Sequence, residues 1–192
     1  MTQSAKRIAS FIQAHLYLRV FLPLLAVALA TTWYGLFYSV EKFSRMTGGL
    51  RVMDMQPTLT PTRIFAQIPT YTPETVAYYI AWSLFDYLWP FVTFTTMLFI
   101  CAWLLKFLSD KWQQRFWLLV ASAYITVIFD WLENVGFIAL VLSVPAEPLW
   151  MAQLTLAMHA GKLTFNMIFN IGTWVLLGAV IVKSGRTYLF RK

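Results

Sequence analysis

Residues 116–144 read FWLLVASAYITVIFDWLENVGFIALVLSV, and this segment indicates the fold class. It is longer than the roughly 20 apolar residues that an α-helix needs to cross a bilayer, so we predict a membrane-spanning helix. Two acidic residues, Asp130 and Glu133, interrupt the apolar run one helical turn apart. The segment therefore predicts a membrane protein and raises the question of what two acids do inside a span.

The rest of the sequence has the composition of a membrane protein. Hydrophobic residues make up 59% of the 192 residues and charged residues only 12%, and the mean hydropathy is +0.64. An ordinary soluble domain has about a quarter of its residues charged. Apolar runs of spanning length occupy about 20–40, 76–107, 116–144 and 151–182. We therefore predict an all-α fold, an integral membrane four-helix bundle that forms a single transmembrane domain over 1–192.

The basic residues lie beside the apolar runs and predict how the chain is oriented. On one side are Lys6, Arg7, Arg19, Lys106, Lys111, Arg115, Lys183, Arg186, Arg191 and Lys192; on the other are Lys42, Arg45, Arg51 and Arg63. Because cytoplasmic connections carry the excess of Lys and Arg, we expect a multi-pass protein of the bacterial inner (plasma) membrane with both termini cytoplasmic. The net charge of +7 then meets anionic membrane lipids, and we assign no nucleic-acid partner.

The first apolar run and the single cysteine exclude two further classes. Lys6, Arg7 and the run up to Ala30 imitate a signal peptide, but the apolar sequence continues through TTWYGLFYSV, so we interpret it as a retained first span. Cys101 has no second cysteine to pair with, which excludes a disulfide framework and dithiol redox chemistry.

The connection of about 41–75 is too long for a simple turn between neighbouring helices. Thr60 and Thr72 each precede a proline, which is the pattern of a helix N-cap followed by proline in the first turn. We therefore predict a short interfacial helix at Pro61–Gln67 and, with it, a helical and loop cap over the outer end of the bundle. A solvated surface loop is the alternative.

Five ionisable residues lie inside the predicted spans rather than at their ends: Asp86, Asp130, Glu133, His159 and Lys162. A charged side chain at the centre of a span costs about 2.5–3.5 kcal/mol on insertion scales, so we expect these residues to face the bundle interior or a wet cavity. A rise of about 1.5 Å per residue from the outer helix ends puts them near one depth, slightly outward of the midplane. Three spans thus bring charge to one layer.

Helical spacing places the polar residues on shared faces. These are Asp130, Glu133 and Asn134 on the third span; His159, Lys162, Asn166 and Asn170 on the fourth; and Tyr79, Trp82 and Asp86 on the second. Pro90 removes a backbone hydrogen bond of the second span, which predicts a kink and a freed carbonyl beside Asp86. A polar interior with aromatic walls follows.

The acids inside the spans outnumber the single lysine, so we expect at least one carboxyl group to hold a proton near neutral pH. A protonated acid beside an ionised one is a general acid/base arrangement. The predicted catalytic residues are Asp130, Glu133, Asp86 and Lys162, and the predicted substrate-binding residues are Asn134, His159, Asn166, Asp54, Tyr79 and Trp82. The alternative is that these residues only hold the helices together, through contacts worth about 1 kcal/mol or less each.

Three functions fit this pattern. The first is a pocket that binds a lipid-like or isoprenoid-like small molecule and transforms it by acid/base chemistry; its layout is similar to that of four-span sterol isomerases, which place acids in a lipid-accessible cavity. The second is a divalent metal site, although the lysine competes for its carboxylates; its ligands would be Asp86, Asp130, Glu133 and His159. The third is a non-enzymatic accessory subunit or a proton-coupled carrier. We assign no metal ligand and leave the cofactor, and association as a homo-oligomer or in a larger membrane complex, open.

Four short elements resemble the pattern of an uncharacterised family of small bacterial four-span membrane proteins. They are MDMQP (Met53–Pro57), YTPE (Tyr71–Glu74), FDYLWP (Phe85–Pro90) and FDWLENVG (Phe129–Gly136), which are similar to the family's DM-x-P, Y-[ST]-P-E, aspartate–proline and D-x-x-E-N elements. Gln56 stands where that family has a basic residue. The resemblance implies one constellation of polar residues and names no reaction. Its members are Asp54, Asp86, Asp130, Glu133 and Asn134.

Overall fold

The computed structural model of the chain describes residues 18–189, with side chains described from 20 to 184. All regular structure among them is helical. Four segments are long and apolar enough to cross a membrane, and we call them the first to fourth spans: Val20–Met46, Pro73–Leu105, Asp110–Leu142 and Leu149–Ser184. The predicted all-α four-helix fold is confirmed, and the chain is a multi-pass membrane protein.

Seven α-helices and three short helical stretches make up the described part of the chain. The first span consists of α1 (Leu18–Trp33), a π-helical stretch (Tyr34–Ser39) and α2 (Val40–Met46). The connection holds a 3₁₀ turn (Met53–Met55), α3 (Pro61–Gln67) and a second 3₁₀ turn (Ile68–Thr70). The other spans are α4 (Pro73–Asp86) with α5 (Trp89–Leu105), α6 (Asp110–Leu142) and α7 (Leu149–Leu189).

The third and fourth spans pack together along most of their lengths, and glycines allow their close approach. A β-carbon added at Gly136 would overlap the side chain of Thr155, and one added at Gly161 would overlap the ring of Phe129. Contacts this close hold α6 and α7 in one register. This register decides which polar side chains of the two spans meet.

The first span packs mainly against the second. α1 contacts α5, where Trp89 Nε1 donates a hydrogen bond of 2.9 Å to Thr32 Oγ1. Within residues 18–189, the first span makes no extensive contact with the fourth. The bundle is therefore less tightly closed between these two spans than between the third and fourth.

The second span is interrupted beside Asp86. α4 ends at Asp86, and α5 begins one residue before Pro90, which cannot donate the backbone hydrogen bond that would continue the helix. A residue with an N–H at position 90 would have donated to the carbonyl of Asp86. The carbonyl of the next residue, Tyr87, accepts a hydrogen bond of 2.9 Å from Trp131 Nε1 of the third span. The predicted kink is confirmed as a break, and it places Asp86 at a helix end inside the bundle.

The two helices that follow Thr60 and Thr72 begin at the residues that the sequence predicts. The Thr60 side chain accepts a hydrogen bond of 3.2 Å from the backbone N–H of Arg63, and Thr72 accepts one of the same length from Thr75. These are N-caps of α3 and α4, each followed by proline at the helix start. The predicted helix Pro61–Gln67 is confirmed.

Residues 47–72 form a lid on the bundle end that the sequence predicts to be outer. Met53 is completely buried in a cluster with aromatic side chains of the second and third spans. The side chains of Gln56 and Gln67 both donate to the carbonyl of Arg51, at 2.8 and 2.9 Å. Gln56, which replaces the basic residue of the resembled family, thus fixes the lid. The segment is packed, and the alternative of a solvated loop is wrong.

The predicted orientation rests partly on residues beyond the described part of the chain. Lys6, Arg7, Arg191 and Lys192 lie outside the described residues, as do the side chains of Arg19 and Arg186. Cytoplasmic termini and the bacterial inner membrane therefore stay predictions.

We predict that Gly136→Ala lowers the thermal stability of the purified protein, because the added methyl group would push the third and fourth spans apart. Overpacking of this kind costs roughly 1–3 kcal/mol. Gly178→Ala is the matched control, since a β-carbon there meets nothing within 4 Å, and its melting temperature should equal or exceed that of the wild type. Equal melting temperatures of the two variants in one detergent would contradict close packing at Gly136.

Candidate functional site

Lys162 lies at the centre of the buried polar residues. Its Nζ is 2.6 Å from Glu133 Oε2 and 3.2 Å from Asp130 Oδ1. The two acids reach it from one face of α6, because they are one helical turn apart. The contact with Glu133 is a close ion pair whose angle lies outside hydrogen-bond geometry. One ammonium group thus lies between two neighbouring carboxyl groups.

Glu133 is completely buried, and His159 contacts its other oxygen. His159 Nδ1 lies 2.7 Å from Glu133 Oε1, and Glu133 has no exposed surface. His159 and Lys162 are three residues apart on α7, so they hold the two oxygens of one carboxyl group from the same helix face. Glu133 is therefore an anchor for the fourth span.

Asn134 joins the second span to the third. Its Nδ2 donates a hydrogen bond to Asp86 Oδ2 at 3.1 Å and to Asp130 Oδ2 at 3.4 Å. One amide group thereby fixes two acids that belong to different helices. The Oδ1 of Asn134 is buried and has no donor among the described residues.

The lid inserts Asp54 into the same site. Asp54 is 8% exposed, its Oδ2 accepts a hydrogen bond from Trp82 Nε1, and its carbonyl accepts one from Lys162 Nζ, both at 3.4 Å. Burial raises the pKa of Asp54; the Lys162 charge opposes this and the Glu133 charge adds to it, and the net direction is upward.

A cavity of about 350 Å³ adjoins these groups. This volume falls within the roughly 300–1,000 Å³ of small-molecule sites. The charged and amide residues of its lining are Asp54, Asp86, Asp130, Lys162 and Asn166. The rest of the lining is Thr32, Met55, Trp89, Pro90, Thr93, Phe94, Thr126 and Leu163. Acids and apolar or aromatic walls therefore share one space.

The cavity is open to the surface rather than enclosed. Leu163 of the fourth span is 40% exposed, and Thr32 of the first span and Asn166 of the fourth are half-buried. These two spans make no extensive contact with each other within the described residues. Residues of the first and fourth spans thus form part of the accessible lining, and Leu163 is its most exposed member.

The structure brings the residues predicted for the site into one region, and their functional roles stay predictions. Asp86, Asp130, Lys162, Asp54 and Asn166 line the cavity, whereas Glu133, Asn134, His159, Tyr79 and Trp82 do not. Glu133, the predicted acid/base partner of Asp130, contacts Lys162 but does not line the cavity. Asp86 shares the cavity with Asp130 instead.

Sequence analysis missed two threonines of the lining. Thr126 lies four residues before Asp130, and Thr93 lies four residues after Trp89, so each shares a helix face with another lining residue. Helical spacing could have found both. Thr126 Oγ1 donates to the carbonyl of Ser122 at 2.8 Å, whereas Thr93 Oγ1 is buried without a partner among the described residues.

The four side chains considered as metal ligands do not form one ligand set. Between residues 18 and 189, no group of three or more His, Cys, Asp and Glu side chains is arranged to hold a metal ion. Lys162 lies between Asp130 and Glu133, where it competes with a cation for both carboxyl groups.

Comparisons of the chain with protein-family models, curated proteins and solved structures find no match. The resemblance to the small bacterial family stays an expectation. The function has to be argued from the geometry of the site.

We predict that Lys162→Met strongly destabilises the protein, because it leaves Glu133 and Asp130 without their shared counter-ion. An uncompensated buried charge costs roughly 3–5 kcal/mol. The double variant Lys162→Met/Glu133→Gln should recover part of this loss. Thermal unfolding of the purified variants measures both effects, and a wild-type melting temperature for Lys162→Met would contradict the central place of this lysine.

Asp130→Asn and Glu133→Gln, by contrast, should express and melt like the wild type or melt higher. Each removes one negative charge from a site that has more acids than bases, and functional sites commonly trade stability for activity. Collapse of folding in both variants would instead favour helix adhesion as the only role of these acids.

We further predict that the lid is less firmly closed at higher pH. The closed lid raises the pKa of Asp54, so closure is favoured most below the ordinary pKa of an aspartate and is weakened as the pH rises toward the raised value. Hydrogen–deuterium exchange of residues 47–72, corrected for intrinsic exchange rates, should show protection that falls across this interval. Asp54→Asn should remove the dependence; the same dependence in that variant would assign it to another group.

Proposed function

We propose that this membrane protein binds a lipid-like or isoprenoid-like small molecule that enters from the bilayer, and that it transforms this molecule by acid/base chemistry. The observation that carries the proposal is the cavity of about 350 Å³, which combines three acids with apolar and aromatic walls and is open to the surface. A polar head would lie among the acids, and an apolar tail would extend between the first and fourth spans.

Asp86 and Asp130 are the proposed acid/base pair. Both line the cavity, and the amide of Asn134 fixes their relative position. We assign the base to Asp130, which lies beside the Lys162 ammonium group, and the acid to Asp86, for which the described residues provide no ion pair. Asp86 gives a proton to one atom of the ligand while Asp130 takes a proton from another, so the step needs no further reactant.

Lys162 is a positioning residue in this scheme. It holds Asp130 at 3.2 Å and is itself held by Glu133 at 2.6 Å. His159 fixes Glu133 from the other side. These residues set the geometry of the base and do not have to touch the ligand.

A proton-coupled carrier is the second candidate. The observation that favours it is a continuous series of contacts from Asp86 through Asn134, Asp130 and Lys162 to Glu133. Chains of ionisable residues inside spans are typical of proton relays. Ligand uptake into proteoliposomes that requires a pH gradient would favour the carrier over the enzyme.

We expect Leu163→Trp to reduce the amount of lipid-like molecule that copurifies with the protein, because a large ring at the edge of the cavity blocks the opening. Leu154→Trp is the matched control, since it is the same exchange on the same helix at a residue that is 53% exposed and does not line the cavity. Native mass spectrometry of both variants in lipid nanodiscs quantifies the bound molecules.

Two outcomes would count against the proposal. Wild-type occupancy in Leu163→Trp would contradict entry between the first and fourth spans. A wild-type protein that carries no small molecule, and binds none from an added membrane-lipid extract, would contradict the pocket itself.

A further inference from the structure

The cavity offers hydrogen-bond acceptors that lack donors. Asp54 lines the cavity and is 8% exposed, and its Oδ1 is buried without a hydrogen-bond partner among the described residues. Thr93 Oγ1, which also belongs to the lining, is likewise buried without a partner among the described residues. A buried acceptor without a donor is energetically unfavourable. A ligand that fits this site therefore brings N–H or O–H groups.

The charges around the cavity also favour a cationic head group. Asp54, Asp86 and Asp130 line it, against the single ammonium group of Lys162. That ammonium group already contacts Asp130 at 3.2 Å and Glu133 at 2.6 Å. A phosphate or carboxylate head group would meet like charges at close range, which several kcal/mol of repulsion disfavours.

The carboxyl group of Asp54 provides the place for such a head group. Its Oδ1 has no hydrogen-bond donor among the described residues, and Asp54 lines the cavity together with Asp86. Trp89 and Phe94 belong to the same lining, and aromatic ring faces attract cations within about 6 Å. Acid oxygens and aromatic walls thus line one space.

From this geometry we infer that the ligand carries a primary or secondary amine, which binds as an ammonium group between Asp54 and Asp86. The inference rests on the proposed function and adds the class of head group to it. Such an amine binds in its protonated form. Its N–H groups donate to the carboxylate oxygens of Asp54 and Asp86, so no covalent bond changes.

Four amphiphiles with the same tail test this head group: dodecylamine, dodecanol, dodecyltrimethylammonium and dodecanoate. They are titrated against the full-length protein in nanodiscs of zwitterionic lipid, and bound ligand is counted by native mass spectrometry. Charge-assisted hydrogen bonds are stronger than neutral ones, so dodecylamine should bind about ten-fold or more tighter than dodecanol. Dodecanoate should bind weakest.

Substitutions locate the binding position. Asp54→Asn and Asp86→Asn should each reduce the affinity for dodecylamine to near that for dodecanol. Asp110→Asn is the control, because Asp110 is exposed at the start of α6, at the opposite end of that helix from the lid. Asp54 lies outside the spans, so its variant tests the inference without changing a buried residue of a span. Unchanged preference for the amine in both site variants would overturn the inference.

The remaining outcomes separate the inference from the proposed function. Equal affinity for dodecanol and dodecylamine would contradict the amine head group but would leave the proposed pocket supported. Equal affinity for dodecyltrimethylammonium and dodecylamine would contradict hydrogen bonding by the ammonium group, because the trimethylammonium head group is charged but has no N–H. Tightest binding of dodecanoate would also overturn it. Failure of all four to bind would overturn the inference together with the proposed pocket.

Discussion

The ammonium group of Lys162 has to offset several acids in a region from which the bilayer excludes water. Glu133 Oε2 lies 2.6 Å from this ammonium group, and the residue is completely buried. Without this contact, solvent would not reach the carboxyl group and no lysine would offset its charge. The contact exists only because α6 and α7 approach closely at Gly136 and Gly161. Helix packing and charge pairing therefore depend on each other, and the remaining polar contacts extend from this pair.

The network grows outward from Lys162 and becomes less complete as it does so. Asp130 contacts the same ammonium group, and Asn134 links Asp130 to the second span. The lid contributes Asp54, which adds another acid and no base. Each step away from Lys162 thus adds acceptors faster than donors. The cavity is lined by Lys162 itself and by three of these acids, Asp54, Asp86 and Asp130.

Sequence alone predicted the parts of this structure that follow from local rules. Because a charged side chain is costly in lipid, Asp130 and Lys162 are predicted to face the bundle interior. Helical spacing predicts which other residues share a helix face with each of them. The proline after Thr60 marks the start of α3 for the same local reason. The contact partner could not be predicted, because the rotation of α7 against α6 depends on the fit of Gly136 to Thr155, which no spacing within one helix reveals. The cavity, whose lining comes from all four spans and the lid, is likewise a property of the assembled bundle.

Helix adhesion and ligand binding make different demands on a buried network. Adhesion is strongest when every buried polar atom has a partner, because each unpaired one costs free energy. Lys162 and His159 contact the two oxygens of Glu133. Buried atoms without a hydrogen-bond partner among the described residues occur away from the cavity, at His159 Nε2 and Asn134 Oδ1, and in residues of its lining, at Asp54 Oδ1 and Thr93 Oγ1. Adhesion leaves the atoms of the lining unpaired, whereas the proposed ligand with hydrogen-bond donors would pair with Asp54 Oδ1.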